Sequence, residues 1–302
     1  MSHPHIPVLL TEVLKAFEGV SISIFFDGTL GAAGHAEAIL QAHPEIERYL
    51  GCDKDPSALK IAKSRLAPWG EKVELIRGSY SDMERFLDER GIGCIDGFLI
   101  DIGVSSMQLD TMDRGFSFRA SGPLDMRMDP EAPLSAESIV NEYAEDELAR
   151  IFWEYGEERQ SRRAASAIVR ARKKQRIRTT EELIEIVKPV LKWGKHHPAT
   201  LIFQALRIAV NDELNELEKG LTAAISRCCA KGRIAVISFH SLEDRIAKQR
   251  LKQNEYKIGK RGTASSGVLR IMTKKPLIAG EDELQNNPRS RSAKLRVAEK
   301  LS

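Results

Sequence analysis

Ile22-Ser-Ile-Phe-Phe-Asp27-Gly-Thr-Leu-Gly-Ala-Ala-Gly-His35 runs from an apolar, β-rich segment into a turn punctuated by glycines at 28, 31 and 34. The segment Ile22 to Phe26 ends on Asp27, so a strand carries a carboxylate at its tip. The pattern returns downstream. Tyr49 to Cys52 ends on Asp53, Val73 to Ile76 leads into Arg77 and Gly78, and Phe98 to Ile100 ends on Asp101. Helical runs such as Ala58 to Leu66 and Met83 to Arg90 lie between them. Unbroken apolar strands alternating with helices predict a parallel sheet covered on both faces. Ile234 to Ser238 supplies a fifth strand, and Val268 to Thr273 and Leu295 to Ala298 supply two more. The fold class is α/β, with a mostly parallel, Rossmann-like sheet.

The gap between the fourth and fifth strands is too long for one crossover helix. Ile139 to Tyr155 has apolar residues at 148, 151, 152 and 155, a helical spacing. Thr179 and Glu182 form a capping box that opens a helix with Leu183, Val187, Val190 and Leu191 on one face. Phe203, Leu206, Val210, Leu214, Leu217, Leu221 and Ile225 then follow in steps of three or four, one persistent apolar stripe. The reading is an inserted α-helical, substrate-recognising domain over 111–211, within a sheet domain made of 1–110 and 212–302.

The 302 residues are 42% hydrophobic, enough to bury cores for about two domains. Lys plus Arg is 46 and Asp plus Glu is 43, a net charge of +3, so any nucleic-acid surface must be local. Charge is segregated accordingly. Residues 131–158 hold nine acids against Arg150 alone, whereas 159–178 hold nine bases and no acid. A further block, 245–275, has ten bases against Glu255. Each block can be a plain solvated face, but two of them on a balanced protein favour a polyanion. The cysteines are Cys52, Cys94, Cys228 and Cys229, with no C-x-x-C pair, so four free thiols in a reducing cytoplasm are expected. His196 and His197 with Cys228 and Cys229 lack the spacing of a ligand set, so no metal is expected. The N-terminus has no charged segment followed by an apolar run, and no apolar stretch nears about 18 residues, so neither secretion nor a membrane span is expected.

The glycines at 28, 31 and 34 contain no pair separated by one residue, which a dinucleotide fingerprint requires. No phosphate-cradling G-x-x-x-x-G-K-[ST] loop is present either. Asp53, 22 residues after Gly31, can accept hydrogen bonds from ribose hydroxyls, with adenine near Tyr80. Asp27, Asp53 and Asp101 meet at the carboxyl edge of the sheet. Three carboxylates suit a cationic cofactor carrying a sulfonium and an amino group. This points to S-adenosylmethionine over NAD or ATP.

Longer motifs run through the chain. They include His5-Ile-Pro-Val-Leu-Leu-Thr-Glu-Val, Asp101-Ile-Gly-Val-Ser-Ser-Met-Gln-Leu-Asp, Arg114-Gly-Phe-Ser-Phe and Leu124-Asp-Met-Arg-Met-Asp. Tyr155-Gly-Glu-Glu-Arg, His197-Pro-Ala-Thr, Phe203-Gln-Ala-Leu-Arg-Ile, Ile237-Ser-Phe-His-Ser-Leu-Glu-Asp-Arg and Asn287-Pro-Arg-Ser-Arg-Ser follow. In these the chain resembles the bacterial small-subunit (16S) ribosomal RNA cytosine-N4 methyltransferases, the RsmH (MraW) family. The resemblance implies a class I S-adenosylmethionine-dependent methyltransferase sheet with an inserted helical domain. It implies cofactor contacts at Ala33, Gly34, His35, Asp53, Tyr80, Asp101 and Gln108. The implied activity is methylation of N4 of a cytidine in the decoding region, with ribosomal RNA or the assembled small subunit as partner. The chain departs from the family at Ala33, where glycine is usual, at Tyr80, where Phe is common, and at Leu201, where Arg is usual.

The exocyclic amine is a poor nucleophile because its lone pair is delocalised into the ring. A site must hold it in line with the methyl carbon and accept an N4–H hydrogen bond. The Asp/Asn-Pro-Pro-Tyr/Phe motif that many amino methyltransferases use is replaced here by Asp101-Ile-Gly-Val. Asp101, supported by the backbone carbonyls of 102–104, is the candidate acceptor; the competing role is cofactor positioning alone. His240 and Glu243 either line the cytosine pocket or fix their loop. His35 reads as a cofactor-loop or capping residue, and Asp125 and Asp129 as ion-pair partners of Arg127 or Arg114. Phe152, Trp153 and Tyr155 sit at helical spacing and read as core rather than as a base-stacking platform. Two rival functions are an assembly factor that has lost turnover and an NAD-dependent oxidoreductase. The intact acidic set argues against the first, and the glycine spacing against the second.

Overall fold

A computed structural model of the protein describes residues 6–105, 108–109, 111–117, 121–192, 197–257 and 266–301. His5, His196, Lys260, Arg261 and positions 106–107, 110 and 118 of the motifs above lie outside the described residues. The chain divides into two compact units, Met1–Gly103 with Leu214–Ser302, and Val104–Glu213. The divisions fall at 103/104 and 213/214 rather than at the expected 110/111 and 211/212. Among the described residues no helix is long and apolar enough to cross a membrane.

The first unit is built on a seven-stranded sheet in the order β3-β2-β1-β4-β5-β7-β6. The strands are β1 Ile24–Asp27, β2 Arg48–Asp53, β3 Val73–Arg77, β4 Ile95–Asp101, β5 Cys228–Ser238, β6 Leu269–Ile271 and β7 Lys294–Lys300. The first five run parallel, whereas β7 is antiparallel to both β5 and β6. This mostly parallel sheet, with β7 alone reversed, is the class I methyltransferase topology.

Its helices are α1 Leu10–Phe17, α2 Gly34–Ala42, α3 Pro56–Arg65, α4 Met83–Asp88, α10 Glu213–Arg227, α11 Ser241–Gln253 and α12 Glu281–Asn286. One core gathers Phe26, Leu50, Met83, Phe98 and Leu221, and a second gathers Phe17, Phe25, Ile39, Tyr49 and Val297. Apolar side chains on both strand faces therefore find cover, which is why the strands read as unbroken apolar runs. Asp55 caps α3 by accepting from the Ser57 N–H at 2.9 Å, with Pro56 following in the first turn.

The expectation of four free thiols does not hold. Cys94, just before β4, is joined by a disulfide to Cys229 on β5, with 5.2 Å between their Cα atoms. Parallel pairing of β4 with β5 brings the two positions together despite a separation of 135 residues. Thiol titration of protein unfolded without reductant is expected to count only Cys52 and Cys228. After reduction the count should rise to four. Four thiols without reductant would contradict the bridge.

The second unit holds α5 Ala136–Glu142, α6 Glu145–Glu154, α7 Ser161–Arg172, α8 Thr180–Val187 and α9 Thr200–Asn211. They enclose a core of Leu124, Ile139, Leu148, Phe152, Ile168 and Leu206. The capping box opens α8 as expected: Thr179 Oγ1 accepts from the Glu182 N–H, and Glu182 Oε2 accepts from the Thr179 N–H. The long apolar stripe is not one helix. Asp212, at φ 51°, ends α9, and α10 starts at the next residue. Asp125 pairs with Arg127 at 2.6 Å, while Arg114 donates to the carbonyls of Arg127 and Met128. Asp129 accepts from the Glu131 N–H. Phe152 is core, but Trp153 is 58% exposed, contrary to the reading of its spacing.

Candidate functional site

The strand order reverses between β1 and β4, and open α/β sheets bind ligands outside the carboxyl ends of strands at such a point. Asp27 closes β1 and Asp101 closes β4, with Asp27 in register with Leu99. Gly28 keeps the turn close to the sheet: its N–H donates to the Leu99 carbonyl. A Cβ there would come within 2.6 Å of Ile100 and 2.8 Å of Tyr80. Gly31 sits at φ 52°, left-handed backbone that glycine tolerates, and its N–H donates to Asp53 Oδ2 at 2.8 Å. The other Asp53 oxygen accepts from the Asp55 N–H, also at 2.8 Å. Asp53 therefore ties the glycine turn to the tip of β2.

Ala33, the family's usual glycine, has φ 62° and ψ 30°. An L-residue in this conformation costs about 1–2 kcal/mol. Its buried methyl sits in the second core of the sheet unit, which offsets about 0.8 kcal/mol of that. The departure therefore preserves the turn at small net cost. Gly34 opens α2 beneath the ring of Pro7. His35 Nε2 donates to the Val8 carbonyl at 2.9 Å, so Nδ1 is the nitrogen that faces Asp101 Oδ2, 3.9 Å away. Tyr80 is packed beside Gly28 in the first core and is 8% exposed.

Asp27, Asp53, Tyr80, Asp101, Ala33, Gly34 and His35 all belong to the sheet unit. Gln108 does not; it belongs to the helical unit, where its Oε1 accepts from the Ser105 N–H and its own N–H donates to Ser105 Oγ. His240 caps α11, and the fully buried Glu243 accepts from the N–H groups of Phe239 and His240. Those two side chains approach to 2.8 Å at His240 Nε2 and Glu243 Oε1.

The sequence reading missed Thr29 and Ser238. Thr29 donates its N–H to Asp27 Oδ1, and its Oγ1 accepts from the Asp101 N–H at 2.6 Å, joining the two strand tips. Ser238 ends β5, and its buried Oγ has no hydrogen-bond partner among the described residues. The signal that singled out Asp27 and Asp101, a polar residue ending an apolar strand, also applied to Ser238.

The electrostatics favour a cation. Burial pushes the Asp27 carboxyl up to about 7, against hydrogen bonds from Tyr49 and Thr29 and with repulsion from Asp53. Burial pushes Asp101 up to about 8, and Asp27 and Glu243 add repulsion. Asp53 is also raised by burial, opposed by the N–H groups of Asp55 and Gly31. No lysine or arginine pairs with these three among the described residues, and Asp101 Oδ1 is buried with no hydrogen-bond partner there. An orphaned carboxylate oxygen inside an acidic rim fits a sulfonium or amino group and repels a phosphate.

Below about pH 7 both Asp27 and Asp101 hold protons, and a cationic ligand must displace them. Affinity for S-adenosylmethionine is therefore expected to rise from pH 6 to pH 8, by up to about tenfold per pH unit for each proton released. Calorimetry in buffers of different ionisation enthalpy should report proton release at pH 6.5. Affinity that is flat with pH would contradict the assignment of these carboxylates to the cation.

The chain is 50% identical over 309 residues to "Ribosomal RNA small subunit methyltransferase H" of Protochlamydia amoebophila, covering 99% of this chain and 98% of that one. It is 49% identical over 313 residues to the protein of the same name in Geobacter sulfurreducens, covering 100% of each. With the Heliobacterium mobile protein of that name identity is 45% over 312 residues, again covering 100% of each. The match to the MraW methylase family extends over residues 2–301, and the chain belongs to that family.

Proposed function

We propose that the protein transfers the methyl group of S-adenosylmethionine to N4 of a cytidine in the decoding region of small-subunit ribosomal RNA. The observation that carries this reading is the acidic rim at the β1/β4 switch point, in a chain whose curated relatives are named as small-subunit ribosomal RNA methyltransferases. Asp53 holds the ribose hydroxyls, the turn Ala33-Gly34-His35 borders the amino-acid portion, and Tyr80 borders the adenine. When bound, the sulfonium supplies an electrophilic methyl group and a neutral thioether leaving group.

Asp101 faces the reacting amine. Its carboxylate accepts an N4–H hydrogen bond, which turns the nitrogen lone pair out of conjugation. As the N4–C bond forms and the C–S bond breaks, Asp101 takes the proton that N4 loses. A carboxyl pushed up to about 8 is a better base than an ordinary carboxylate. Holding the amine in line supplies the rest, since positioning can lower a barrier by about 7–11 kcal/mol. The target base must leave its stack to arrive there. The substrate is ribosomal RNA, free or in the assembled subunit, and the setting is the cytoplasm. Incubation with labelled S-adenosylmethionine and small subunits lacking the mark should place label on one decoding-region cytidine. Label at the base carbon or the ribose, or none on any assembly state, would overturn the reading.

A further inference from the structure

The helical unit carries a surface that the reaction site leaves unused. The basic block 159–178 holds both spent and free cations. Arg172 donates to the carbonyls of Val140 and Tyr143, closing the end of α5, and Arg176 pairs with Glu137 and Glu142. Arg159, Arg162, Arg163, Arg170, Lys173 and Lys174 are exposed, and no ion pair joins them to an acidic side chain among the described residues. At 3.6 residues per turn, Arg162, Arg163, Arg170 and Lys173 fall within an arc of about 100° on α7. The opposite face, with Ala164, Ala165 and Ile168, is buried in the core, so the stripe points to solvent.

A second observation lies beside it. Trp153, on the last turn of α6, is 58% exposed although its neighbours Ile151 and Phe152 are buried. The chain turns back over 155–160, so Trp153 stands at the end of the hairpin where Arg159, Arg162 and Arg163 begin the stripe. An exposed aromatic on the same hairpin as clustered arginines is the composition of a single-strand nucleic-acid platform.

We infer that the α6–α7 hairpin is the RNA-docking face of this protein, with the cationic stripe on successive phosphates and Trp153 stacked on an unpaired base. The inference rests on the ribosomal RNA reading above and deepens it. The geometry suits a single-stranded or looped segment: a stripe along one helix follows one backbone, and stacking requires a base outside a duplex. An acidic protein surface would use the charges but leave the indole without a role.

The test compares charge-matched variants of the full chain. Arg162→Glu/Arg170→Glu reverses the stripe, and Lys60→Glu/Lys63→Glu makes the same change on the exposed face of α3. Binding of a decoding-region RNA is followed by anisotropy across a salt series. The stripe variant should weaken binding more than tenfold at 100 mM salt. It should also flatten the slope of log Kd against log salt by roughly 0.7–0.9 per lost contact. The α3 variant should stay within twofold of wild type, and both should bind S-adenosylmethionine normally, which reports an intact fold. Trp153→Ala should weaken RNA binding about tenfold or more, with Trp153→Phe keeping most of the affinity.

Equal effects of the two reversals would overturn the inference. So would unchanged RNA binding with weakened binding to the assembled particle, which would assign the stripe to a protein. Failure of the functional reading shows earlier and separately, as wild type that transfers no methyl group to any small-subunit RNA.

Discussion

Asp101→Asn is expected to lower turnover by about 10²–10³-fold while weakening S-adenosylmethionine binding far less. The substitution keeps the size and shape of the side chain and removes its basicity. In the ligand-free protein Asp101 is protonated below about pH 8, so an amide mimics the form the fold already accommodates. A second consequence separates this from general damage. A carboxyl whose folded pKa is raised binds more protons folded than unfolded between about pH 4 and pH 8, so it subtracts stability as pH climbs through that window. Ligand-free Asp101→Asn should therefore melt higher than wild type at pH 8.5 and no higher at pH 4. A residue that is costly to the fold and essential to turnover is what a strained reaction site requires. Equal losses in turnover and cofactor affinity would instead assign Asp101 to positioning alone.

Asp53→Ala is expected to weaken S-adenosylmethionine binding by more than a hundredfold. Two hydrogen bonds from ribose hydroxyls to a charged acceptor are worth about 1.5–3 kcal/mol each. The side chain also holds the N–H groups of Gly31 and Asp55, so the glycine turn loosens as the acceptor leaves. Calorimetry measures the loss, and circular dichroism confirms that the sheet persists. A cofactor analogue lacking the ribose hydroxyls identifies the cause. Wild type should lose most of its advantage on that analogue, leaving only the part due to the loosened turn. If the analogue preserves the full difference, Asp53 acts only through the turn.

The sheet was legible because its strands are covered on both faces. Runs such as Phe25–Phe26 and Leu99–Ile100 have no polar alternation to obscure them, and each ends on the aspartate that marks the carboxyl edge. The capping box of α8 was legible because it is a local exchange between Thr179 and Glu182. What escaped was set by the third dimension. The break at Asp212 leaves the apolar spacing intact on both sides, so periodicity runs straight across it. The Cys94–Cys229 bridge joins positions 135 residues apart that only strand pairing brings together. Trp153 follows a buried pair one position along the helix, and a rotation of about 100° carries it from core to solvent. Ala33 adopts a backbone conformation its side chain disfavours, so its identity gave no hint of the turn it makes. Of the site residues, those at strand tips followed from sequence, whereas the joining role of Thr29 and the division that separates Gln108 from the rest did not.

In the proposed reaction Asp101 meets the amine at the acidic edge of the sheet. A crystal structure with a non-transferring S-adenosylmethionine analogue and a cytidine-containing oligonucleotide tests it most directly. The ribose is expected on Asp53, with N4 of an unstacked cytosine within hydrogen-bond distance of the Asp101 carboxylate. A cofactor bound away from Asp53, or an N4 whose proton is taken by another group, would contradict it.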